Sequence, residues 1–269
     1  MIKYLIYSLT IILGVYLVFL AFMFFYQRSF MYYPSVNNYN DTEINFDYET
    51  VSITTPDNIN LKAWYSFNQN KKQTIVFFHG NAGDLENRIY KLNHFKKLNV
   101  NFLIVSWRGF SGNDGQPSEK NLYIDANSTI KWLESKGVKK NQMVLYGESL
   151  GTGIAVEVAS KSKFAGVILE SPFTSMQDMG KKLYPYLPIS ILQHDKYLSL
   201  NKIKKVKSPI LIMHGQADNI VPFYMGKKLF DEANDPKVSY FPEEDNHMME
   251  YNEELIETLK NFLSSLSNL

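Results

Sequence analysis

The chain has 269 residues, with 28 Lys+Arg against 27 Asp+Glu and no cysteine. That length suits one sizeable core. A near-neutral balance argues against a nucleic-acid partner, which needs a basic stripe. The absence of cysteine excludes disulfides, thiolate zinc sites and a cysteine nucleophile.

Residues 4–26 carry no charge and are almost wholly apolar, between Lys3 and Arg28. The run is long enough to cross a bilayer as a helix. Tyr4, Tyr7, Phe22, Phe24, Phe25 and Tyr26 cluster at its ends, where aromatic rings favour the interface. A cleaved signal peptide is the competing reading. Its n-region would be three residues, its apolar run is too long, and no A-x-A-like site follows. The expectation is an uncleaved single-pass anchor over residues 1–28. Lys3 and the amino terminus tilt the topology toward a cytoplasmic N-terminus and an extracytoplasmic globular domain. Residues 29–48 read as a linker and 49–269 as the globular domain.

Residues 49–55 and 59–65 alternate about Pro56-Asp57-Asn58, which predicts an antiparallel hairpin. Short apolar runs follow at 74–78, 102–106, 143–146, 166–169, 209–213 and 238–241. Helical spacing occupies 85–98 and 118–136, with Ser118 placed to cap the second helix. Continuous apolar strands alternating with amphipathic helices predict an α/β fold, a mainly parallel sheet covered on both faces. Ligands then sit at the carboxyl ends of the strands. Residues 174–207 break the rhythm and read as a small lid, with a surface connector as the plainer alternative. The lysines at 202–207 read as a solvated face rather than a lipid contact.

Gly147-Glu148-Ser149-Leu150-Gly151 lies between an apolar strand and a small-residue helix, the setting of a nucleophile elbow. A serine hydroxyl needs a general base, and the base needs an orienting acid. With this elbow the chain order is serine, acid, histidine. Asp218 lies in the strand-end loop His214-Gly215-Gln216-Ala217-Asp218, and His247 in the next. Glu170 is the rival acid. His94 falls within a predicted helix and His194 in the insertion. His79 and His214 close strands, where a structural hydrogen bond is expected. The backbone N–H of Leu150 is one expected oxyanion donor. The second comes from the loop His79-Gly80-Asn81-Ala82-Gly83, with Asn81 first and Ala82 next. Arg108 is expected to form a structural ion pair, with an anionic substrate contact as the alternative.

The chain resembles the serine α/β-hydrolase superfamily, most of all a membrane-anchored group that includes α/β-hydrolase domain-containing proteins 13 and 17 and bud-emergence-type yeast homologues. The resemblance runs through Tyr33-Pro34-Ser35, Phe78 to Gly83, Trp107-Arg108-Gly109-Phe110, Pro117-Ser118-Glu119, Gly147 to Gly151, Glu170-Ser171-Pro172-Phe173, His214 to Pro222 and His247. It implies hydrolysis of esters or thioesters with no cofactor and no metal. Two departures stand out. Ser111 occupies a position where the group usually has glycine. Glu243, Glu244 and Asp245 precede His247, where a nearby negative cluster would favour the imidazolium.

The reading is a serine hydrolase acting on carboxylic esters or thioesters of apolar, lipid-like acyl groups, held to a membrane by its N-terminal helix. A peptidase on the same fold ranks lower. Epoxide or haloalkane hydrolysis is disfavoured by serine at 149. A non-catalytic scaffold is the alternative of a different class; the complete Ser–Asp–His set argues against it.

Overall fold

The computed structural model describes residues 1–34 and 43–266. Part of the expected linker, 35–42, lies outside them. The hairpin forms as β1 (Glu49–Thr54) and β2 (Asn60–Ser66), paired antiparallel from Glu49↔Tyr65 to Thr54↔Asn60. Its turn is closed by Asn58 at φ +61°, a left-handed conformation that asparagine tolerates.

The apolar runs become β3 (Thr74–Phe78), β4 (Asn101–Val105), β5 (Met143–Glu148), β6 (Gly166–Glu170), β7 (Ile210–Met213) and β8 (Lys237–Tyr240). The sheet order is β1-β2-β4-β3-β5-β6-β7-β8. β2 meets β4 antiparallel, and from β4 onward every pairing is parallel. Every residue of β3 through β7 is buried, as the continuous apolar runs require of strands covered on both faces.

The helices supply that cover. α1 (Ile2–Tyr26) covers neither face of the sheet. α2 (Ile89–Phe95) is shorter than the 85–98 span read from periodicity. Its ends tighten into 3₁₀ turns at Glu86–Arg88 and Lys96–Leu98, and Asn99 at φ +53° stops it. α3 (Glu119–Ser135) begins where expected, with Ser118 Oγ accepting the Asn121 amide at 3.2 Å. α4 (Leu150–Ala159) follows the elbow. The lid interval folds into α5 (Met176–Leu183), α6 (Ile189–Leu192) and α7 (Ser199–Ile203). α8 (Phe223–Glu232) and α9 (Glu253–Leu266) complete the chain.

Side chains of α3, α4, α7 and α8, among them Leu122, Ile154, Ile203 and Leu229, bury one sheet face. Leu92 and Phe95 of α2 and Leu255, Leu259 and Phe262 of α9 bury the other. α1 buries no residue, and an 18-residue stretch within the span Ile2–Phe30 has a mean hydropathy of 2.5, so the span is long and apolar enough to cross a membrane. In the lysine run, Lys202 pairs with the buried Glu157, and the exposed Lys204 pairs with Glu232.

The elbow depends on two missing side chains. A Cβ at Gly151 would stand 1.8 Å from the Phe78 carbonyl oxygen, and one at Gly147 would stand 2.6 Å from Thr152 Cα. Both obstacles are backbone and cannot rotate away. Gly151→Ala is therefore expected to cost more than the ~1–3 kcal/mol usual for overpacking. Urea unfolding of the full chain in detergent measures it; an unchanged midpoint would contradict this packing.

Candidate active site

The sharp turn from β5 into α4 holds Ser149 at φ +49°, ψ −114°, a strained conformation for a residue with a side chain. The Ser149 amide donates to the Glu170 carbonyl at 2.9 Å, which fixes the turn to the neighbouring strand. Ser149 Oγ lies 3.0 Å from His247 Nε2, and His247 Nδ1 lies 2.8 Å from Asp218 Oδ2. Three residues 98 and 29 positions apart in the chain thus form one hydrogen-bonded line.

The loops carrying acid and base are fastened to each other. Ala217 donates its amide to the Asp245 carbonyl and Gln216 to that of Pro242. Asn246 Oδ1 accepts the amides of His247 and Asn219. Glu243 and Glu244 face solvent, and the carboxylate that meets the imidazole is that of Asp218. Asp245 instead accepts the Glu250 amide. The acidic cluster read from sequence shapes the loop rather than the ring's first contacts.

Asp218 Oδ1 accepts the Ile220 and Val221 amides, each at 2.8 Å. Its Oδ2 also lies 3.1 Å from His214 Nε2. Burial alone would raise this carboxyl; hydrogen bonds from His214 and His247 override it and hold Asp218 well below the usual carboxylate range. His214 is buried, and its Nε2 also approaches the Val221 carbonyl at 3.0 Å, so an Nε2–H donor serves both oxygens. The structural hydrogen bond expected of His214 is therefore made, partly to the candidate acid itself.

His79 is structural as well. Its Nδ1 meets the Gly80 carbonyl at 2.8 Å and its Nε2 accepts the Trp107 amide at 3.3 Å. Burial first, and the Arg88 charge second, lower its pKa to about 3, so the ring is neutral. Arg108 forms the ion pair expected of it, with Asp125 and Asp57.

The donors can be sorted by elimination. In the loop after β3, the Gly80 amide is taken by Glu148 Oε1 and the Gly83 amide by the Tyr33 carbonyl. The amides of Asn81 and Ala82 have no protein acceptor among the described residues. Asn81 lines the same cavity as Ser149, whereas Ala82 is exposed. On the other side, Leu150 opens α4, where an amide has no partner within its helix and the dipole favours negative charge.

Sequence reasoning missed what lies beneath the serine. Glu148 is buried and pairs with Arg88 at 2.6 Å and with Lys91. Lys91 also meets Glu170 at 2.6 Å, and Glu170 accepts the hydroxyls of Tyr146 and Tyr251. Arg88 reaches on to the Ala82 carbonyl at 2.7 Å. Burial would raise the Glu148 carboxyl and depress the Lys91 ammonium. Their opposite charges win, keeping Glu148 low and Lys91 high. Glu170, the rival acid, is committed to this network. The available signal was Lys91 among the apolar residues of α2.

Fold and site together define an α/β hydrolase. A model of the prolyl oligopeptidase family matches residues 117–268, and one of an α/β-hydrolase family of unknown function matches 48–183. The chain is 32% identical to protein bem46 of Schizosaccharomyces pombe over 232 residues, covering 80% of this chain and 78% of that one. It is 32% identical to human α/β hydrolase domain-containing protein 17B, over 72% of this chain and 67% of the relative. An esterase of Pyrococcus furiosus, Pf2001, superposes with a TM-score of 0.72 at 20% identity, covering 88% of this chain and 98% of that one. The chain belongs to the α/β-hydrolase superfamily, in the company of bem46 and the domain-containing protein 17B.

Replacing Lys91 with methionine would leave the buried Glu170 carboxylate without its cation and Glu148 with Arg88 alone. Loss of one partner from such a cluster costs about 3–5 kcal/mol. Chemical denaturation of Lys91→Met is expected to show that loss; a change under about 1 kcal/mol would mean the network does not hold the site together.

Proposed function

We propose that the chain is a membrane-anchored serine hydrolase that cleaves carboxylic esters or thioesters of apolar acyl groups through an acyl-enzyme intermediate. The observation that carries this reading is the line from Ser149 through His247 to Asp218, at 3.0 and 2.8 Å. His247 takes the hydroxyl proton as Ser149 Oγ bonds to the substrate carbonyl carbon. The oxyanion is held by the amides of Leu150 and Asn81. As the intermediate collapses, the alcohol or thiol leaves with the proton from His247. Water then repeats the sequence on the acyl-enzyme, releasing the carboxylic acid and restoring Ser149. Asp218, kept ionised, fixes the imidazole tautomer and stabilises the imidazolium.

The acyl preference rests on the cavity beside Ser149. Its lining includes Met176, Met179, Leu183, Leu187 and Ile189 of the lid region. In this reading residues 1–28 are a single-pass anchor, 29–48 a connection, 49–269 the catalytic domain and 174–207 its lid. The flanking charges favour an extracytoplasmic domain. Likeness in fold to the Pyrococcus furiosus esterase Pf2001 supports ester chemistry. The match to the prolyl oligopeptidase family favours a second reading, a peptidase using the same three residues.

Full-length protein in detergent, given p-nitrophenyl esters and matched peptide p-nitroanilides, separates these readings. The esters are expected to turn over and the anilides to lag far behind. Ser149→Ala should remove turnover by roughly a millionfold. Asp218→Asn should remove about 10⁴-fold, by leaving the wrong tautomer. Faster anilide hydrolysis would transfer the assignment to a peptidase. A folded wild type inert toward both would leave a scaffold.

A further inference from the structure

α1 is more than a tether. Its exposed surface is interrupted by one half-buried face, Leu20, Met23, Phe24 and Gln27. That i, i+3, i+4, i+7 spacing is one side of a helix, and it meets the lid. Tyr16 donates its hydroxyl to the Tyr186 carbonyl at 2.8 Å. Gln27 donates to the Leu192 carbonyl at 3.0 Å and accepts the His194 amide at 2.8 Å. Phe24 packs edge-on against the His194 ring at 4.4 Å. Just past the helix, Arg28 pairs with Asp195 at 2.8 Å, and Tyr32 donates to the same carboxylate. The Met31 carbonyl accepts Asn81 Nδ2, and Tyr33 exchanges backbone hydrogen bonds with Asn81 and Gly83.

The membrane helix is therefore bound both to the lid and to the loop expected to hold the oxyanion. Between them lies a cavity of about 300 Å³ that reaches Ser149. Met23, Gln27, Phe30 and Met31 wall it on the helix side, opposite lid residues such as Met179 and Leu183.

The depth of these contacts matters. Tyr16 and Gln27 are separated by about 16 Å of helix at ~1.5 Å per residue. That is roughly half of a ~30 Å hydrocarbon core. A lid fastened along that length lies within one leaflet when α1 spans the bilayer. Its composition suits the position. Residues 183–193 carry no charge, with Lys181 and Lys182 before them and Asp195 and Lys196 after. Leu183, Tyr186 and Ile191 are 57%, 60% and 82% exposed.

Building on the reading of Ser149 as nucleophile, we propose that the cleft between α1 and the α5–α6 tip is a lateral entrance from the bilayer. Its substrate is a membrane-resident ester or thioester, one acyl chain of which slides into the cavity without passing through water. Drawing a chain into water lowers its population about fourfold per methylene, so ten methylenes cost a factor on the order of a million. A route from hydrocarbon to apolar cavity avoids that factor. α1 is then one wall of the acyl site.

The test uses the full chain in phosphatidylcholine vesicles, with 4-methylumbelliferyl acetate in water and the octanoate and palmitate held in the bilayer. Wild type is expected to hydrolyse the bilayer-held palmitate. Met23→Trp, which fills the cavity from the helix side, should lower palmitate kcat/KM by about tenfold or more, the worth of roughly two methylenes, and shift the preferred chain toward the shorter esters. Ile191→Glu should lower palmitate turnover in vesicles by a similar factor. Fluorescence of Ile191→Trp, read against wild type, should be quenched by lipids brominated in the acyl chain. Hydrolysis of acetate without palmitate, an unmoved chain-length profile in Met23→Trp, or an unquenched Trp would overturn the lateral entrance and leave the Ser149 reading standing. Inactivity toward all three esters would overturn both.

Discussion

One buried carboxylate organises the catalytic end of this molecule. Glu148, at the variable position of the Gly-x-Ser-x-Gly turn, sits directly under the serine and is neutralised by Arg88 and Lys91. Its Oε1 also accepts the Gly80 amide, and Arg88 continues to the Ala82 carbonyl. Lys91 carries the connection to Glu170 at the end of the next strand. The elbow, the loop after β3 and the end of β6 are thereby tied to one point. A buried charge left unpaired is expensive, so each of these loops is held where its partner needs it. Ser149 can be strained because its surroundings over-determine it.

Around that rigid point the site divides by polarity. On one side, Asp218 and His247 are drawn together by loop-to-loop hydrogen bonds, and His214 supports the acid from beneath. On the other side the cavity is walled by methionine, leucine and isoleucine from the lid region. Methionine suits such a wall because its flexible thioether fills irregular gaps. The lid in turn rests on the N-terminal helix through Tyr16, Gln27 and Arg28. The Ser149–His247–Asp218 line, the apolar cavity and α1 adjoin one another in space.

Much of this was legible in the sequence. The parallel strands are read because full burial demands continuous apolar runs, and the glycines at 147 and 151 because only backbone fits against Phe78 and Thr152. The positions of Ser149, Asp218 and His247 follow from strand ends, where loops converge. Helix ends were less legible: the first and last turns of the α2 span tighten to 3₁₀ geometry, and the left-handed Asn99 ends it. The Glu148 network left one sign, Lys91 among the apolar residues of α2, while Arg88 looks like an ordinary helix charge until the fold turns it inward. The half-buried face of α1 was hidden too. A segment apolar all round carries no periodic signal, so only its contacts with 186–195 show which side is used.

The account turns on Ser149 as an activated nucleophile. The most direct measurement is reaction of the full-length protein in detergent with a fluorophosphonate, followed by proteolysis and mass mapping of the phosphonylated peptide. The account predicts a single stoichiometric adduct on Ser149, lost when His247 is replaced by alanine. A folded protein that takes up no label, or takes it up on a different serine, would contradict it.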